Sequence, residues 1–177
     1  AAAAVASYFG FAPGQIASRL ATSEPSKMRG ELIRFANGVT VIDDSYNSNP
    51  QALLQSVRAM LDLAGASGRR VVVAGEMLEL GEQGPDLHRE SGREIGALGF
   101  DVLIGVRGLA SELVAGAAER SKGASTLTSF YETPEEAAES LIAIAAPGDV
   151  ILVKGSRGVR MEIVVDKLKA AFGASKK

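Results

Sequence analysis

Short β-branched runs alternate with amphipathic helical patterns along most of this chain, and the alternation limits the folds that it can adopt. The strand candidates are 38–42, 70–74, 101–105 and 149–153. The helix candidates are 50–64, 85–98, 109–121, 134–145 and 161–172. Nearly continuous apolar strands between helices are typical of a parallel sheet that is covered on both faces. We therefore predict an α/β, Rossmann-like fold.

Two further strands are expected. The segment ELIRFANG precedes the first candidate strand, and its Asn37-Gly38 pair is a strong hairpin signal. It predicts an antiparallel hairpin strand at the amino-terminal side of the sheet. A weaker strand pattern covers 125–130.

The first 24 residues differ from the rest of the chain. Helical composition in residues 1–22 is interrupted at Gly10 and Pro13, and the segment 22–27 is polar and contains a proline. We predict two short helices and a linker in 1–24, and a separate domain over 25–177. Because the chain opens in helix-like composition without an initiator Met, we expect it to be a piece of a longer protein.

Composition excludes several classes of function. The formal net charge is −2, with no basic cluster of the kind that binds nucleic acid. There is no cysteine and one histidine, which excludes disulfides and thiolate or His-rich metal sites, although carboxylate binding of Mg²⁺ stays open. The sequence shows no basic segment followed by an apolar one and no apolar run of about 18 residues, so we expect neither export nor membrane insertion. We expect a cytoplasmic monomer that binds neither nucleic acid nor membrane.

Polar residues directly follow three of the predicted strands. They occupy 43–49, 75–81 and 154–157. Parallel sheets of this type bind ligands in the crevice beyond the carboxyl ends of their strands, so we expect the three loops to converge there.

The first loop, within VIDDSYNSNP, carries more polar groups than helix capping requires. Ser45, Asn47 or Asn49 could cap the helix that begins at Pro50. Capping does not explain the two aspartates and Tyr46. Asp44 is placed to accept hydrogen bonds from ribose hydroxyls, Asn47 suits an adenine edge or a ribose, and Tyr46 offers an aromatic face. For Asp43 an equally good alternative is a structural bond to the linker or to a neighbouring amide.

The last loop combines Lys154, Ser156 and Arg157 after a strand. Two cations and a hydroxyl at one place suit a carboxylate or a phosphate, which an arginine fork binds in bidentate fashion.

DDSYNSNP, GEMLELG, His88 and KGSRGVRMEIVV occur in this order and together resemble the carboxy-terminal domain of the Mur ligases. The resemblance is strongest to the branch of the family that adds D-alanyl-D-alanine. It extends over about residues 23–173, with Glu76 where the family more often has Asp and Ser48 where it more often has Ala. Residues 1–22 resemble the last helices of the family's central ATP-binding domain, so the resemblance implies that 1–24 is a remnant of that domain and a linker.

The resemblance implies an activity and its substrates. Mur ligases use ATP and Mg²⁺ to convert a UDP-muramoyl peptide into an acyl phosphate, which an incoming amine attacks. For this branch, the substrates are UDP-N-acetylmuramoyl-tripeptide, D-alanyl-D-alanine and ATP. The sequence contains no G-x-x-x-x-G-K-[ST] phosphate loop. In the family a central domain carries that loop, so ATP and Mg²⁺ would be bound mainly there, and this chain alone is expected to be inactive.

The resemblance also divides the candidate site residues into two groups. The nucleotide-binding group is Arg29, Asp44, Tyr46, Asn47 and Asn49, in which Arg29 would reach the phosphates. The amino-substrate group is Lys154, Ser156 and Arg157. No residue is assigned as catalytic or as a metal ligand, and the roles of His88, Glu76 and Glu79 stay open. The alternatives are a stand-alone Rossmann-like nucleotide-binding module and a folylpolyglutamate or cyanophycin type of ligase domain.

Overall fold

The computed structural model describes residues 2–22, 27–65, 68–121 and 126–173. The strands in these residues are β1 (Glu31–Arg34), β2 (Thr40–Asp44), β3 (Arg70–Gly75), β4 (Val102–Val106), β5 (Leu127–Tyr131) and β6 (Val150–Lys154). The helices are α1 (Ala2–Tyr8), α2 (Pro13–Ala21), α3 (Pro50–Ala64), α4 (Gly84–Leu98), α5 (Ala110–Arg120), α6 (Pro134–Ile144) and α7 (Glu162–Phe172).

The described strands form one sheet in the order β1-β2-β6-β3-β4-β5. Strand β1 is antiparallel to β2, and every other neighbouring pair is parallel. Helices α3, α4 and α5 pack on one face, and α6 and α7 pack on the other. The prediction of a Rossmann-like, mostly parallel sheet with an antiparallel hairpin strand is confirmed.

Strand β3 shows why the central runs are apolar at every position. Val71 and Val73 belong to the core beneath α6 and α7, whereas Val72 and Ala74 belong to the core beneath α3, α4 and α5. Alternate side chains of a strand point to opposite faces, so a strand covered on both sides needs apolar residues throughout.

The observed strand ends differ from the predicted ones by up to two residues. Strand β2 continues beyond Ile42 to Asp44, and β6 continues beyond Val153 to Lys154, so these charged residues lie in the sheet and not in loops. The ladder persists because Asp44 and Lys154 are register partners on adjacent parallel strands and carry opposite charges. Strand β5 begins at Leu127, and Ser125 of the predicted strand lies outside the described residues.

The hairpin between β1 and β2 turns at the predicted place. Gly38 adopts a φ of +86°, which favours glycine, and its N–H donates to the Phe35 carbonyl over 3.1 Å. The Asn37 side chain accepts a hydrogen bond from the Val39 N–H at 3.1 Å. The Asn37-Gly38 signal is therefore confirmed as the turn.

Helices α1 and α2 are more exposed than the helices that cover the sheet. They are separated at Gly10, whose φ is +82°, and α2 begins at Pro13 as predicted. Neither helix has a buried residue among those described, and Tyr8, Phe9 and Phe11 are exposed. Linker residues 23–26, and with them the boundary near residue 25, lie outside the described residues. In the described part of the chain, no helix has the length and apolar character needed to span a membrane.

Candidate functional site

The three predicted polar loops meet at one edge of the sheet. Strand β6 lies between β2 and β3, and the helix after β6 covers the opposite face from the helices after its two neighbours. Such a reversal opens a crevice at the carboxyl ends of the strands. Two cavities of about 450 and 440 Å³ lie there and share the loop 46–49.

The first cavity collects all five residues of the predicted nucleotide group. Its lining is Arg29, Gly30, Asp44, Tyr46, Asn47, Ser48, Asn49, Ala52, Gln55, Ser56, Ala59 and Lys154. The contribution of α3 through Gln55 and Ser56 was not predicted, because polar residues on an amphipathic helix carry no signal that separates a cavity from solvent.

An ion pair forms the floor of this first cavity. Lys154 is buried, and its Nζ donates to Asp44 Oδ2 at 2.6 Å and to the Asn47 carbonyl at 2.9 Å. Ser56 Oγ also donates to Asp44 Oδ2, at 2.7 Å. Lys154 was predicted to face an amino substrate, but the structure places it with the nucleotide group, where it fixes Asp44.

The adjacent aspartates have separate environments because successive side chains of β2 alternate. Asp43 is buried, and its Oδ1 accepts hydrogen bonds from the Ser45 hydroxyl and from the Ser45 N–H at 3.2 Å. Burial raises the pKa of the Asp43 carboxyl, and the bonds from Ser45 partly counteract the effect. The structural alternative is thus correct for Asp43, which shapes the turn after β2.

Tyr46 and Arg29 lie together at the mouth of the first cavity. The guanidinium carbon of Arg29 lies 4.1 Å from the centroid of the Tyr46 ring, which is a cation–π contact. The Tyr46 N–H donates to the Met28 carbonyl at 3.0 Å and so connects the loop to the segment before β1. Sequence reasoning proposed both residues but gave no indication that they touch.

The end of the loop combines capping with an unusual buried group. Asn49 Oδ1 accepts a hydrogen bond from the Ala52 N–H at 2.8 Å, so Asn49 caps α3 as the alternative interpretation held. Ser48 lines both cavities, and its buried hydroxyl has no partner among the described residues.

The second cavity is lined by all three loops. Its residues are Tyr46, Asn47, Ser48, Asn49, Leu78, Glu79, Leu80, Ser156, Arg157 and Gly158. Ser156 Oγ is buried, accepts a hydrogen bond from the Leu78 N–H at 2.9 Å and lies 3.4 Å from the Ser48 carbonyl. Both hydrogen-bonding directions of this hydroxyl are therefore used to join the loops. Its predicted contact with a substrate gains no support from this geometry.

Arg157 is the exposed cation of the second cavity. Its side chain is 59% exposed, and its Nη1 lies 3.2 Å from Glu162 Oε1 in the first turn of α7. An exposed guanidinium with one carboxylate neighbour retains donors for a further anion.

His88 supports the loop after β3 from below. It is fully buried, its Nδ1 lies 2.7 Å from the Gly84 carbonyl, and its Nε2 lies 2.9 Å from the Met77 nitrogen. A carbonyl only accepts, so Nδ1 carries the proton and Nε2 accepts from the Met77 N–H. Desolvation lowers the pKa of His88 and favours this neutral form. Its role is structural.

Glu76 and Glu79 have different environments in the structure. Glu76 Oε1 accepts from the Leu109 N–H at 3.1 Å, just before α5, where a carboxylate complements the positive end of the helix. Glu79 lines the second cavity. Within the described ranges, no group of three or more His, Asp or Glu side chains is arranged to hold a metal ion.

Two neighbouring glycines allow the strand ends to approach closely. A Cβ on Gly155 would lie 2.5 Å from Met161 Cγ and 3.1 Å from Gly75 Cα. Glycine at these two positions therefore brings the loops after β3 and β6 close enough to share the second cavity.

Comparison with known proteins agrees with this architecture. A family model described as the Mur ligase, glutamate ligase domain matches residues 28–157. The UDP-N-acetylmuramoyl-tripeptide--D-alanyl-D-alanine ligase of Bacillus subtilis is 32% identical over 95% of this chain and 36% of its own length. The ligase of the same name from Mycobacterium tuberculosis is 34% identical over 96% of this chain and 36% of its own length. The chain thus spans about a third of these relatives.

Solved structures give the same likeness. Crystal structure I of MurF from Acinetobacter baumannii superimposes with a TM-score of 0.76 at 28% identity, covering 94% of this chain and 35% of that one. A MurF ligase from Thermotoga maritima in complex with ADP superimposes with a TM-score of 0.71 at 28% identity, covering 86% and 33%.

Proposed function

Because the chain belongs to the Mur ligase family through its glutamate ligase domain, we propose that it is the carboxy-terminal domain of a D-alanyl-D-alanine-adding ligase. The whole protein would join this dipeptide to UDP-N-acetylmuramoyl-tripeptide at the expense of ATP, as a monomer in the cytoplasm, where these nucleotide substrates are found. The observation that carries the proposal is the pair of adjoining cavities that share the loop 46–49. One suits a nucleoside and the other a small charged amine donor.

The first cavity suits the adenosine end of ATP. Among the described residues only Oδ2 of Asp44 has hydrogen-bond partners, so Oδ1 is left to accept from a ribose hydroxyl. Tyr46 and Asn47 offer an aromatic face and amide groups beside it, and Arg29 supplies a cation for the phosphates. We assign Mg²⁺ and most of the triphosphate contacts to the family's central domain, because this sequence has no G-x-x-x-x-G-K-[ST] phosphate loop.

The second cavity suits the dipeptide. Its carboxylate needs a counter-charge while its amine is free to attack, and the exposed Arg157 is the cation that lines this cavity. In the reaction, the γ-phosphoryl group of ATP passes to the tripeptide carboxylate and ADP is released. The dipeptide ammonium group loses one proton to solvent, and its neutral nitrogen then attacks the acyl carbon. The amide bond forms as inorganic phosphate leaves with the acyl–oxygen bonding electrons, and the nitrogen gives up its second proton. Placing the two cavities side by side brings the reacting groups together.

The direct test uses the whole product of the gene that encodes this chain. Incubation with ATP, Mg²⁺, UDP-N-acetylmuramoyl-tripeptide and D-alanyl-D-alanine is expected to release phosphate and give a product heavier by the dipeptide less one water. Mass spectrometry detects this product. Addition of a single amino acid in place of the dipeptide would contradict the proposal, as would hydrolysis of ATP without ligation. Folylpolyglutamate substrates distinguish the related ligases.

Arg157→Ala in that protein tests the second cavity. Loss of charge-assisted hydrogen bonds, each contributing about 1.5–3 kcal/mol, should raise the KM for the dipeptide about ten-fold or more. The KM for ATP should change little. Arg58→Ala is the matched control, since Arg58 is exposed on α3 and its ion pair with Glu94 is 3.8 Å long. An unchanged dipeptide KM in Arg157→Ala would remove Arg157 from the amine-donor site.

A further inference from the structure

Glu79 adopts a backbone conformation that its residue type rarely takes. Its φ is +66°, in the left-handed region, where a side chain crowds the backbone. Non-glycine residues remain in this region only when the surrounding structure holds them there, and such residues concentrate at ligand sites. The contacts of the loop around Glu79 show what holds the residue in this conformation.

Hydrogen bonds to α4 and to the loop after β6 hold the loop that carries Glu79. The Met77 N–H donates to His88 Nε2 at 2.9 Å, and the Leu78 N–H donates to Ser156 Oγ at 2.9 Å. The Glu76 carbonyl accepts from the Ser156 N–H at 3.2 Å. These bonds fix the three residues before Glu79 against buried groups of α4 and the loop after β6. They explain why the buried His88 and Ser156 are polar, since each accepts a hydrogen bond from a backbone N–H of this loop.

The Glu79 side chain is exposed on the second cavity. It has no hydrogen bond or ion pair with any residue that the structure describes, whereas the carboxylate of its neighbour Glu76 is used at the start of α5. Arg157 lines the same cavity and pairs with Glu162, not with Glu79. One cavity of about 440 Å³ thus presents an anion and a cation that do not neutralise each other.

Such an arrangement matches a small zwitterion, which carries an ammonium group and a carboxylate at its two ends. We propose that Glu79 binds the ammonium group of the incoming amine donor while Arg157 binds its carboxylate. This inference rests on the proposed function of the second cavity and adds a residue that fixes the direction in which the dipeptide lies. Once this ammonium group has lost a proton to solvent, its nitrogen has a lone pair and attacks from a defined position, which is the geometric requirement of the reaction.

Glu79→Gln in the whole gene product tests the inference, because it keeps the size of the side chain and removes its charge. The KM for D-alanyl-D-alanine should rise about ten-fold or more, with the KM for ATP changed less than about two-fold, because the variant loses the charge-assisted bond to the ammonium group. Glu82→Gln is the matched control: Glu82 is exposed in the 3₁₀ turn Gly81–Gln83 and does not line the cavity. It should leave both constants unchanged.

The outcomes separate this inference from the function on which it rests. An active wild-type enzyme whose Glu79→Gln variant keeps its dipeptide KM overturns the role of Glu79 alone. A rise in both KM values together also overturns it, because that result indicates a distorted loop. A wild-type protein that does not use the dipeptide overturns the proposed function and the role of Glu79 with it. Thermal unfolding of the variant within about 4 °C of wild type, or ~1 kcal/mol for a chain of this size, shows that the fold is intact.

Discussion

Lys154→Met is expected to destabilise this chain more than the substitution of any exposed charged residue. Lys154 lies in β6 with 4% of its side chain exposed, and its Nζ donates to Asp44 Oδ2 and to the Asn47 carbonyl. Methionine fills most of the same volume without a charge. The substitution therefore leaves Asp44 without its cation and the Asn47 carbonyl without its donor.

The magnitude follows from the burial of the two partners. Removing one partner of a buried ion pair costs about 3–5 kcal/mol, because the other charge stays behind uncompensated. Asp44 is 21% exposed and keeps its bond from Ser56, which places the loss at the lower end, about 3 kcal/mol. With a urea dependence of about 2 kcal/mol per molar for a chain of this size, the midpoint should fall by about 1.5 M.

Urea unfolding followed by far-ultraviolet circular dichroism measures this loss. Asp44→Asn should also destabilise the chain, and the double variant should be more stable than the sum of the two losses predicts by at least about 1 kcal/mol, since both changes act on one contact. Arg58→Ala, which removes an exposed ion pair, should cost less than about 0.5 kcal/mol. A midpoint shift below about 0.3 M for Lys154→Met, or additive losses in the double variant, would refute the claim that this pair stabilises the edge of the sheet.

Two further predictions concern stability away from the ion pair. His88 has a lowered pKa when folded, so below about pH 6.5 the unfolded chain binds a proton that the folded chain resists, and the free energy of unfolding should fall toward pH 5 by at most about 1.4 kcal/mol per pH unit. His88→Gln retains an acceptor for the Met77 N–H but does not titrate, so wild type should lose stability relative to this variant as the pH falls. Parallel curves of stability against pH would contradict the lowered pKa of His88. Gly116→Ala drives a Cβ into the Arg89 carbonyl oxygen and should lower the free energy of unfolding in urea by about 2 kcal/mol or more. Gly14→Ala is the control and should be tolerated, because no atom lies within 4 Å of its new Cβ. Equal stabilities of the two variants would refute the close packing of α4 on α5.

Periodicity in the sequence predicted the strands, the helices and the side of the sheet at which the loops meet. It did so because covered parallel strands and amphipathic helices follow from local apolar spacing. The strand ends were less accurate, since polar residues were assumed to begin the loops. Asp44 and Lys154 extend their strands because they neutralise each other across the ladder, and that pairing joins residues 110 positions apart. Nothing local in the sequence marks it.

The same limit applies to the roles of individual polar residues. Asp43 and Asp44 are adjacent and chemically identical, yet their side chains point to opposite faces of β2. Asp43 is buried and bonded to Ser45, whereas Asp44 lines the first cavity. Glu76 and Glu79 lie close together in one loop, and the first is used at a helix start while the second is exposed on the second cavity.

Polar groups at this site therefore divide according to whether the protein itself satisfies them. Those that accept or donate within the loops build the site, and substituting them should lower stability and impair every substrate together. Those whose atoms are left to a ligand should change one binding constant and leave the fold intact. The first kind is Asp43, Asn49, Glu76, His88 and Ser156, and the second is Tyr46, Glu79 and Arg157. Asp44 belongs to both, because its Oδ2 is bonded to Lys154 and Ser56 while its Oδ1 is left to a ligand, so its substitution should change stability and one binding constant. Comparing KM changes with unfolding free energies across the two kinds tests the division directly, because a residue in the wrong class would move the wrong quantity.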